Sequence, residues 1–191
     1  KCKKAVEGYP YAKFKSFESQ AMAEKAFNES FEQYKGKKVA SSPTLSPLEL
    51  ERIGSPILPS IAVDAACSGN PGIMEYRGVD TETQAEIFRI APIKDGTNNI
   101  GEFLAIVHAL AFMKQRNLSL PVYSDSKIAM SWVRQKVCKT KVPRTSHNEK
   151  IFELIARAEQ WLHNNTYPNP ILKWETQVWG ENPADFGRKD K

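Results

Sequence analysis

The pattern of apolar and polar positions changes character near residue 60. Beyond it, SIAVDAAC, GIMEYRGVD and QAEIFRIAPI have the length and β-branched content of strands and predict a meander. NNIGEFLAIVHALAFMKQRN predicts a long helix, with Phe103, Ile106 and Leu110 on its apolar face. The remaining predicted elements are, in order, the strand LPVYSD, the helices SKIAMSWVRQK and NEKIFELIARAEQWLHNN, the strand ILKWET and a short helix beginning at NPADFGRK. This order favours an α/β fold, a mixed sheet with helices on its faces.

The first part of the chain has a different composition. AKFKSF predicts a short strand and SQAMAEKAFNESFEQY a helix, which together indicate a small α+β module over residues 1–38. Residues 39–59 are rich in Ser and Pro, which predicts a linker with a brief helical turn at PLELERI. Residues 60–191 then form the larger domain. KCKKAVEG has no initiating Met and the pattern of a half helix, so we expect further residues upstream of Lys1.

Composition narrows the class of protein. An apolar fraction of 41% supports a real core, and a net charge of +5 favours a polyanionic partner. Three cysteines without CxxC spacing predict reduced thiols in a cytoplasmic protein. No apolar run reaches the length of a membrane span, so we expect no membrane association. The tryptophans Trp132, Trp161 and Trp174 lie on apolar faces and are predicted to be core contacts.

Four acidic residues lie within a predicted strand or at the ends of predicted elements, and none belongs to a run of charged residues. Asp64 interrupts an apolar strand, and burying an unpaired carboxylate is costly. Glu102 falls in the first turn of the long helix, after a cap at Asn98 or Asn99. Asp125 ends the strand VYSD, and Asp185 opens the predicted last helix. If the first and fourth strands are neighbours, Asp64 and Asp125 lie side by side.

Carboxylates without His or Cys suit Mg²⁺ or Mn²⁺. Two such ions about 3.5–4 Å apart clamp the attacking water and the leaving oxygen of a phosphodiester. The ordinary alternatives are that acids near helix N-termini offset the helix dipole and that acids at strand ends face solvent. Asp64 fits those alternatives least, since residues on both sides of it are apolar or small.

Five segments in order, VDAACSGNPGIMEYRGVD, GTNNIGEFLAIVHAL, YSDSKIAMSWV, ILKWET and WGENPADFGRK, resemble type 1 ribonuclease H. This family cleaves the RNA strand of RNA/DNA hybrids, leaving 5′-phosphate and 3′-hydroxyl ends. The resemblance implies a ribonuclease H-like fold, with a five-stranded mixed sheet flanked by helices, and an endonuclease using two Mg²⁺ ions, with Mn²⁺ possible in their place. We expect a monomer. By this resemblance the metal-binding catalytic carboxylates are Asp64, Glu102, Asp125 and Asp185.

The same resemblance implies a set of substrate contacts: Ser68, Gly69, Asn70, Thr97, Asn98, Asn99, Lys127 and Thr140. The small-residue loop CSGNPG would approach RNA 2′-hydroxyls, and the two asparagines would contact both strands in the minor groove. Thr97 and Thr140 resemble residues that grip a DNA phosphate, although Thr140 also reads as an ordinary residue of a basic loop. Lys127 departs from the family pattern, because many relatives have glutamine there.

Two further assignments come from the resemblance. Relatives often carry a histidine before the last aspartate that assists product release, whereas this chain has Glu181, as in one bacterial branch. The alternative for Glu181 is a turn residue facing water. The start of the chain resembles the later half of a hybrid-binding domain, with Phe14 and Lys15 as duplex contacts. The alternative there is a remnant without a binding role.

Two other classes compete with the nuclease hypothesis. A non-catalytic hybrid-binding protein on the same fold would be expected to have lost acids, and all four are intact. A polynucleotidyl transferase such as an integrase or transposase usually has three acids and DNA-joining modules. The GTNN and WGENPADFGRK stretches argue against it.

Overall fold

The structure is a computed structural model that describes Glu24, residues 27–29 and residues 45–187. The chain divides into two compact units, Lys1–Arg52 and Ile53–Lys191. The predicted strand at AKFKSF, most of the predicted front helix, and Phe14 and Lys15 lie outside the described residues. The predicted division at residues 38 and 59 stays a prediction.

The predicted helical turn at PLELERI is present as helix α1 (Pro47–Ile53). Ser46 Oγ accepts a hydrogen bond from the Glu49 backbone N–H at 3.3 Å, and Glu49 Oε2 accepts one from the Ser46 N–H at 2.8 Å. This reciprocal pair is a capping box, which satisfies two amide groups at the start of the helix.

In the part of the chain that the structure describes, the sheet contains six strands. They are β1 (Ile61–Cys67), β2 (Gly72–Asp80), β3 (Glu86–Arg89), β4 (Ile93–Gly96), β5 (Val122–Ser124) and β6 (Ile171–Lys173). The order is β3-β2-β1-β5-β6, and β4 pairs with β2 outside that path. The pairs β1–β5 and β5–β6 are parallel, whereas β2 pairs antiparallel with β1, β3 and β4. The predicted mixed sheet with a five-strand path is therefore present.

One predicted strand is two strands. QAEIFRIAPI was expected to be continuous, but β3 ends at Arg89 and β4 begins at Ile93. Pro92 lies between them, and a proline has no N–H to donate to a strand ladder, so it interrupts pairing. The sheet therefore gains the short strand β4.

Within the described residues, four helices follow β4: α2 (Asn98–Gln115), α3 (Lys127–Gln135), α4 (Glu149–Asn164) and α5 (Thr176–Trp179). Helix α2 lies directly against β1 and β2. A Cβ added to Gly101 would lie 2.7 Å from Ala65 Cβ and 3.1 Å from Met74 Cγ, so only glycine allows this approach. The close contact brings the start of α2 beside the strand that carries Asp64.

The predicted last helix is wrong over the residues that the structure describes. Residues 181–187 form turns and bends, and the short helix α5 lies upstream of them. Asn182 Oδ1 accepts a hydrogen bond from the Ala184 N–H at 2.9 Å. Such a side-chain bond to the nearby backbone competes with helix formation.

Buried apolar side chains form two clusters. The larger joins β1, β2 and β5 to helices α2, α3 and α4, and includes Val63, Phe103, Leu110, Ile151 and Leu162. The smaller consists of Ala62, Val79, Tyr123, Trp174 and Ala184. Trp132 and Trp161 pack against the larger cluster, so the three tryptophans make the hydrophobic contacts predicted for them. Among the described residues, no helix has the length and apolar character needed to cross a membrane.

Candidate active site

Three carboxylates from separate parts of the chain meet beside the parallel pair of strands β1 and β5. Asp64 lies on β1, and Asp125 directly follows β5, which pairs with β1 through Ala62 and Tyr123. Glu102 comes from helix α2. One carboxylate oxygen from each of the three residues lies within 4.8 Å of the others. The neighbouring positions expected for Asp64 and Asp125 are therefore present.

Glu102 lies in the second turn of α2, not the first. Thr97 is the N-cap, with Oγ1 accepting a hydrogen bond from the Ile100 N–H at 3.3 Å, so the expectation of a cap at Asn98 or Asn99 is wrong. The effect of the helix dipole falls off within the first turn, so interaction with the dipole does not account for an acid at position 102. Asn98 instead donates from Nδ2 to Glu102 Oε1 at 2.9 Å, which orients the carboxylate.

The three-carboxylate cluster is electrostatically costly without a cation. Asp64 is 7% exposed, and burial, followed by the charge of Asp125, raises its pKa to about 8. Burial also raises the pKa of Glu102 to about 7, with Asp125 again adding to the increase. Groups that ionise this reluctantly, held this close, favour a bound cation.

The cluster fits a hard divalent cation. Glu102 Oε2 and Asp125 Oδ1 are buried and have no hydrogen-bond partner in the described structure. Buried polar atoms are nearly always satisfied, so two such oxygens on two members of the acidic cluster suit the binding of a cation. Carboxylate oxygens without His or Cys are the donor set of Mg²⁺ and Mn²⁺.

Asp185 lies outside the three-carboxylate set but near it. It is on the turn that follows α5, where its Oδ1 accepts a hydrogen bond from the Gly187 N–H at 2.7 Å. After burial, Asp125 and Glu102, its charge adds to the raised pKa of Asp64. The structure therefore brings Asp64, Glu102 and Asp125 together, and the charge of Asp185 acts on Asp64 from outside that set.

Asn182 fixes the turn that carries Asp185, and the sequence did not suggest it. Its Nδ2 donates to the Val63 carbonyl on β1 at 3.0 Å, while its Oδ1 holds the Ala184 amide. Trp174 Nε1 adds a hydrogen bond to the Gly180 carbonyl at 2.9 Å. The available signal was an asparagine beside proline in WGENPAD, a residue type that hydrogen-bonds its own turn.

A groove of about 430 Å³ at the start of α2 brings together four of the predicted substrate residues. It is lined by Asn70, Thr97, Asn99 and Thr140, together with Pro71, Ile128, Trp132, Lys139, Lys141, Val142 and Pro143. Trp132 had been predicted only as a core contact, and its place on the groove wall was missed. The signal for the two lysines was the basic run KVCKTKVPR.

The other predicted contacts lie outside this groove. Ser68 and Gly69 are exposed on the β1–β2 loop, where Ser68 Oγ accepts a hydrogen bond from the Ile73 N–H at 3.0 Å. Asn98 is exposed beside Glu102, and Lys127 is exposed at the start of α3. Glu181 is exposed after α5.

Comparison with known proteins assigns the family. Residues 59–171 match the family model described as RNase H. The chain belongs to the ribonuclease H family. The matched range includes Asp64, Glu102 and Asp125, whereas Glu181 and Asp185 lie beyond it. Residues 1–27 match a second model, described as the ribonuclease H1 N-terminal domain. The predicted resemblance to type 1 ribonuclease H and the predicted fold class are confirmed.

Curated relatives carry the same family name. Ribonuclease H of Francisella philomiragia subsp. philomiragia is 36% identical over 78 residues, which cover 38% of this chain and 47% of the relative. Ribonuclease H of Francisella tularensis subsp. novicida is 35% identical over the same length. The chain thus spans about half the length of the curated relatives it matches, 47% of each.

Solved structures of ribonuclease H1 are more distant neighbours. LC11-RNase H1, isolated from compost, is 18% identical with a TM-score of 0.40, over 63% of this chain and 89% of that one. The structure of LC11-RNase H1 in complex with an RNA/DNA hybrid is 23% identical with a TM-score of 0.38, over 61% and 85%.

Proposed function

We propose that this protein is an endonuclease that hydrolyses the RNA strand of RNA/DNA hybrids and leaves 5′-phosphate and 3′-hydroxyl ends. The observation that carries the proposal is the cluster of Asp64, Glu102 and Asp125, with oxygens within 4.8 Å of one another, in a ribonuclease H family domain. The two buried, unpartnered oxygens of Glu102 and Asp125 support a metal-dependent reaction.

Four carboxylates would hold two divalent ions, Mg²⁺ in the first instance and Mn²⁺ as the alternative: Asp64, Glu102, Asp125 and Asp185. Ions bound at such a site would activate a water molecule and neutralise the charge on the departing oxygen. The protein keeps the carboxylates in fixed positions through the burial of Asp64 and the hydrogen bond from Asn98 to Glu102. No side chain need act as a covalent nucleophile.

Substrate recognition divides between two surfaces. The loop of Ser68 and Gly69 would face the RNA strand, whose 2′-hydroxyls distinguish it from DNA, while Asn70 beside them lines the groove. The groove lined by Thr97, Asn99, Thr140 and the loop lysines would hold the DNA strand by its phosphates, and exposed Lys127 would add a phosphate contact. In this arrangement the protein would contact both strands of the hybrid.

The beginning of the chain would add a second contact with the hybrid. Residues 1–27 match the ribonuclease H1 N-terminal domain, and Phe14 and Lys15 are the proposed duplex contacts there. A Ser/Pro-rich tether over residues 39–59 would join it to the catalytic domain and raise the local concentration of hybrid. We further propose that the protein acts as a monomer in the cytoplasm.

A panel of labelled duplexes tests the function. RNA/DNA, RNA/RNA and DNA/DNA duplexes are incubated with Mg²⁺ or EDTA, and the product ends are mapped. We expect cutting of RNA in the hybrid only, and only with Mg²⁺. Binding of the hybrid without cleavage would favour the non-catalytic alternative, and strand joining of DNA would favour a polynucleotidyl transferase.

Glu181 is proposed to assist product release. Glu181→Gln should lower steady-state turnover about tenfold, while the rate of a single turnover with excess enzyme stays close to that of the wild type, because release and not chemistry is slowed. Gln177→Ala, an exposed change in the preceding helix α5, is the control. If both rates fall together, Glu181 takes part in the chemical step and the release role is wrong.

A further inference from the structure

We infer that Arg77 is a positioning residue that holds the main chain of Asp185 at the carboxylate cluster. The inference rests on the proposed function, in which Asp185 is the fourth carboxylate. Arg77 lies on β2, directly opposite Asp64 in the register of the β1–β2 pair. Residues opposite each other in an antiparallel pair project from the same face of the sheet. Arg77 and Asp64 therefore share the face on which the turn of Asp185 packs.

The guanidinium of Arg77 donates to two consecutive carbonyls of that turn. Nε donates to the Ala184 oxygen at 2.9 Å, and Nη2 donates to the Asp185 oxygen at 2.7 Å. Hydrogen bonds from an ionised donor are stronger than neutral ones, and the rigid fork of a guanidinium fixes direction as well as distance. The position of the Asp185 backbone is therefore defined relative to β2.

Neighbouring groups hold Arg77 in this orientation. Glu86 Oε2 lies 3.6 Å from Arg77 Nη1, and the Phe186 ring lies under the guanidinium, 4.9 Å from ring centroid to Cζ. The Arg77 side chain is 21% exposed, so its hydrogen bonds are partly shielded from water. Because Glu86 and Phe186 already restrict the Arg77 side chain, little conformational entropy is lost when its guanidinium hydrogen-bonds the two carbonyls.

Asp185 needs such support more than the other three acids do. Asp64 and Glu102 lie within a strand and a helix, and Asp125 follows a strand directly. Asp185 lies on a turn, joined to the sheet on one side by Asn182 and on the other by Arg77. Because a metal site tolerates ligand displacements of only about 0.5 Å, the support of this turn bears directly on metal binding.

The test measures metal binding to the protein without nucleic acid. Mn²⁺ is titrated into wild type, Arg77→Ala and Arg77→Lys, and binding is read from water-proton relaxation. We expect Arg77→Ala to weaken Mn²⁺ binding about tenfold and Arg77→Lys to recover part of the loss, since one ammonium group reaches one carbonyl at a time. Arg89→Ala is the matched control: Arg89 also contacts Glu86 and the Phe186 ring, and its described hydrogen bonds are to side chains only.

A double-mutant cycle separates positioning from general stabilisation. In an Asp185→Asn background, Arg77→Ala should weaken Mn²⁺ binding by less than about twofold more, because Arg77 acts through Asp185. A full additional loss in that background, or Mn²⁺ binding unchanged in Arg77→Ala, overturns the inference. If Arg77→Ala does not fold by circular dichroism, Arg77→Gln, which keeps most of the aliphatic stem, takes its place. Failure of hybrid cleavage would not affect this test, because it uses no substrate.

Discussion

Asp125→Asn should lower the rate of hybrid cleavage by about 10³-fold or more, while the affinity for the hybrid changes by less than about threefold. The substitution keeps the size of the side chain and removes the charge that a divalent cation needs. Asp125 Oδ1 is a buried oxygen without a hydrogen-bond partner in the described structure. In the proposed function the DNA strand would be held elsewhere, along the groove lined by Thr97, Asn99 and Thr140, so binding should survive. Asp64→Asn should behave in the same way.

The measurement pairs single-turnover cleavage at saturating Mg²⁺ with hybrid binding in EDTA. Asp95→Asn is the matched control, because it makes the same chemical change on β4, outside the cluster. Its φ is 62°, a left-handed conformation that asparagine tolerates, so the control should fold normally. Cleavage by Asp125→Asn near the wild-type rate would remove this carboxylate from the reaction.

The part of the site that could be predicted from the sequence is the part that depends on local pattern. Asp64 stands out because a carboxylate interrupts an apolar run, and that is visible without any tertiary contact. The pairing of Asp64 with Asp125 needed only one assumption, that the first strand and VYSD are neighbours, and the parallel β1–β5 pair bears it out.

The supporting contacts could not be predicted, because they join residues far apart in the chain. Arg77 reads as an ordinary charged residue of a strand, and only the fold brings it to the Ala184 carbonyl. Asn182 likewise reads as a turn residue until its amide meets the Val63 carbonyl on β1. Pairing in the sheet and packing of the last turn determine both contacts.

The two errors near helix ends have different causes. Thr97, Asn98 and Asn99 are three consecutive good N-cap residues, and local preference cannot choose among them. The packing of Gly101 against Ala65 sets where α2 lies on β1 and is not visible from the helix sequence. In NPADFGRK, Asn182 is a residue suited to an N-cap. Its side chain instead accepts a hydrogen bond from the Ala184 amide two residues on, which forms a turn and not a helix.

The same carboxylate cluster should make the metal-free protein less stable as pH rises. The Asp64 carboxyl has an ordinary pKa of 3.8 and a folded-state pKa of about 8. Between those values the folded protein retains a proton that the unfolded chain has released, so the free energy of unfolding falls as pH rises from 4 to 8. Glu102, with its pKa raised to about 7, contributes in the same direction.

Asp64→Asn should therefore be more stable than wild type in EDTA at pH 8, by about 3 kcal/mol, and the difference should vanish near pH 4. Burial lowers the pKa of His108, which acts in the opposite direction, but it does so equally in both proteins and cancels in the comparison. Urea unfolding at pH 4, 6 and 8 gives the difference directly, with Asp95→Asn as the control. A stability difference independent of pH would mean that Asp64 is ionised in the metal-free fold.

Divalent cations should reverse this pH dependence, because they bind the ionised carboxylates of the folded state and release their protons. Adding Mg²⁺ should raise the unfolding free energy of wild type more at pH 8 than at pH 5, and should raise that of Asp64→Asn much less. An equal gain in both proteins would place the bound ion away from Asp64. A gain confined to wild type connects the buried carboxylate of β1 with metal binding through a measurement that needs no nucleic acid and no cleavage.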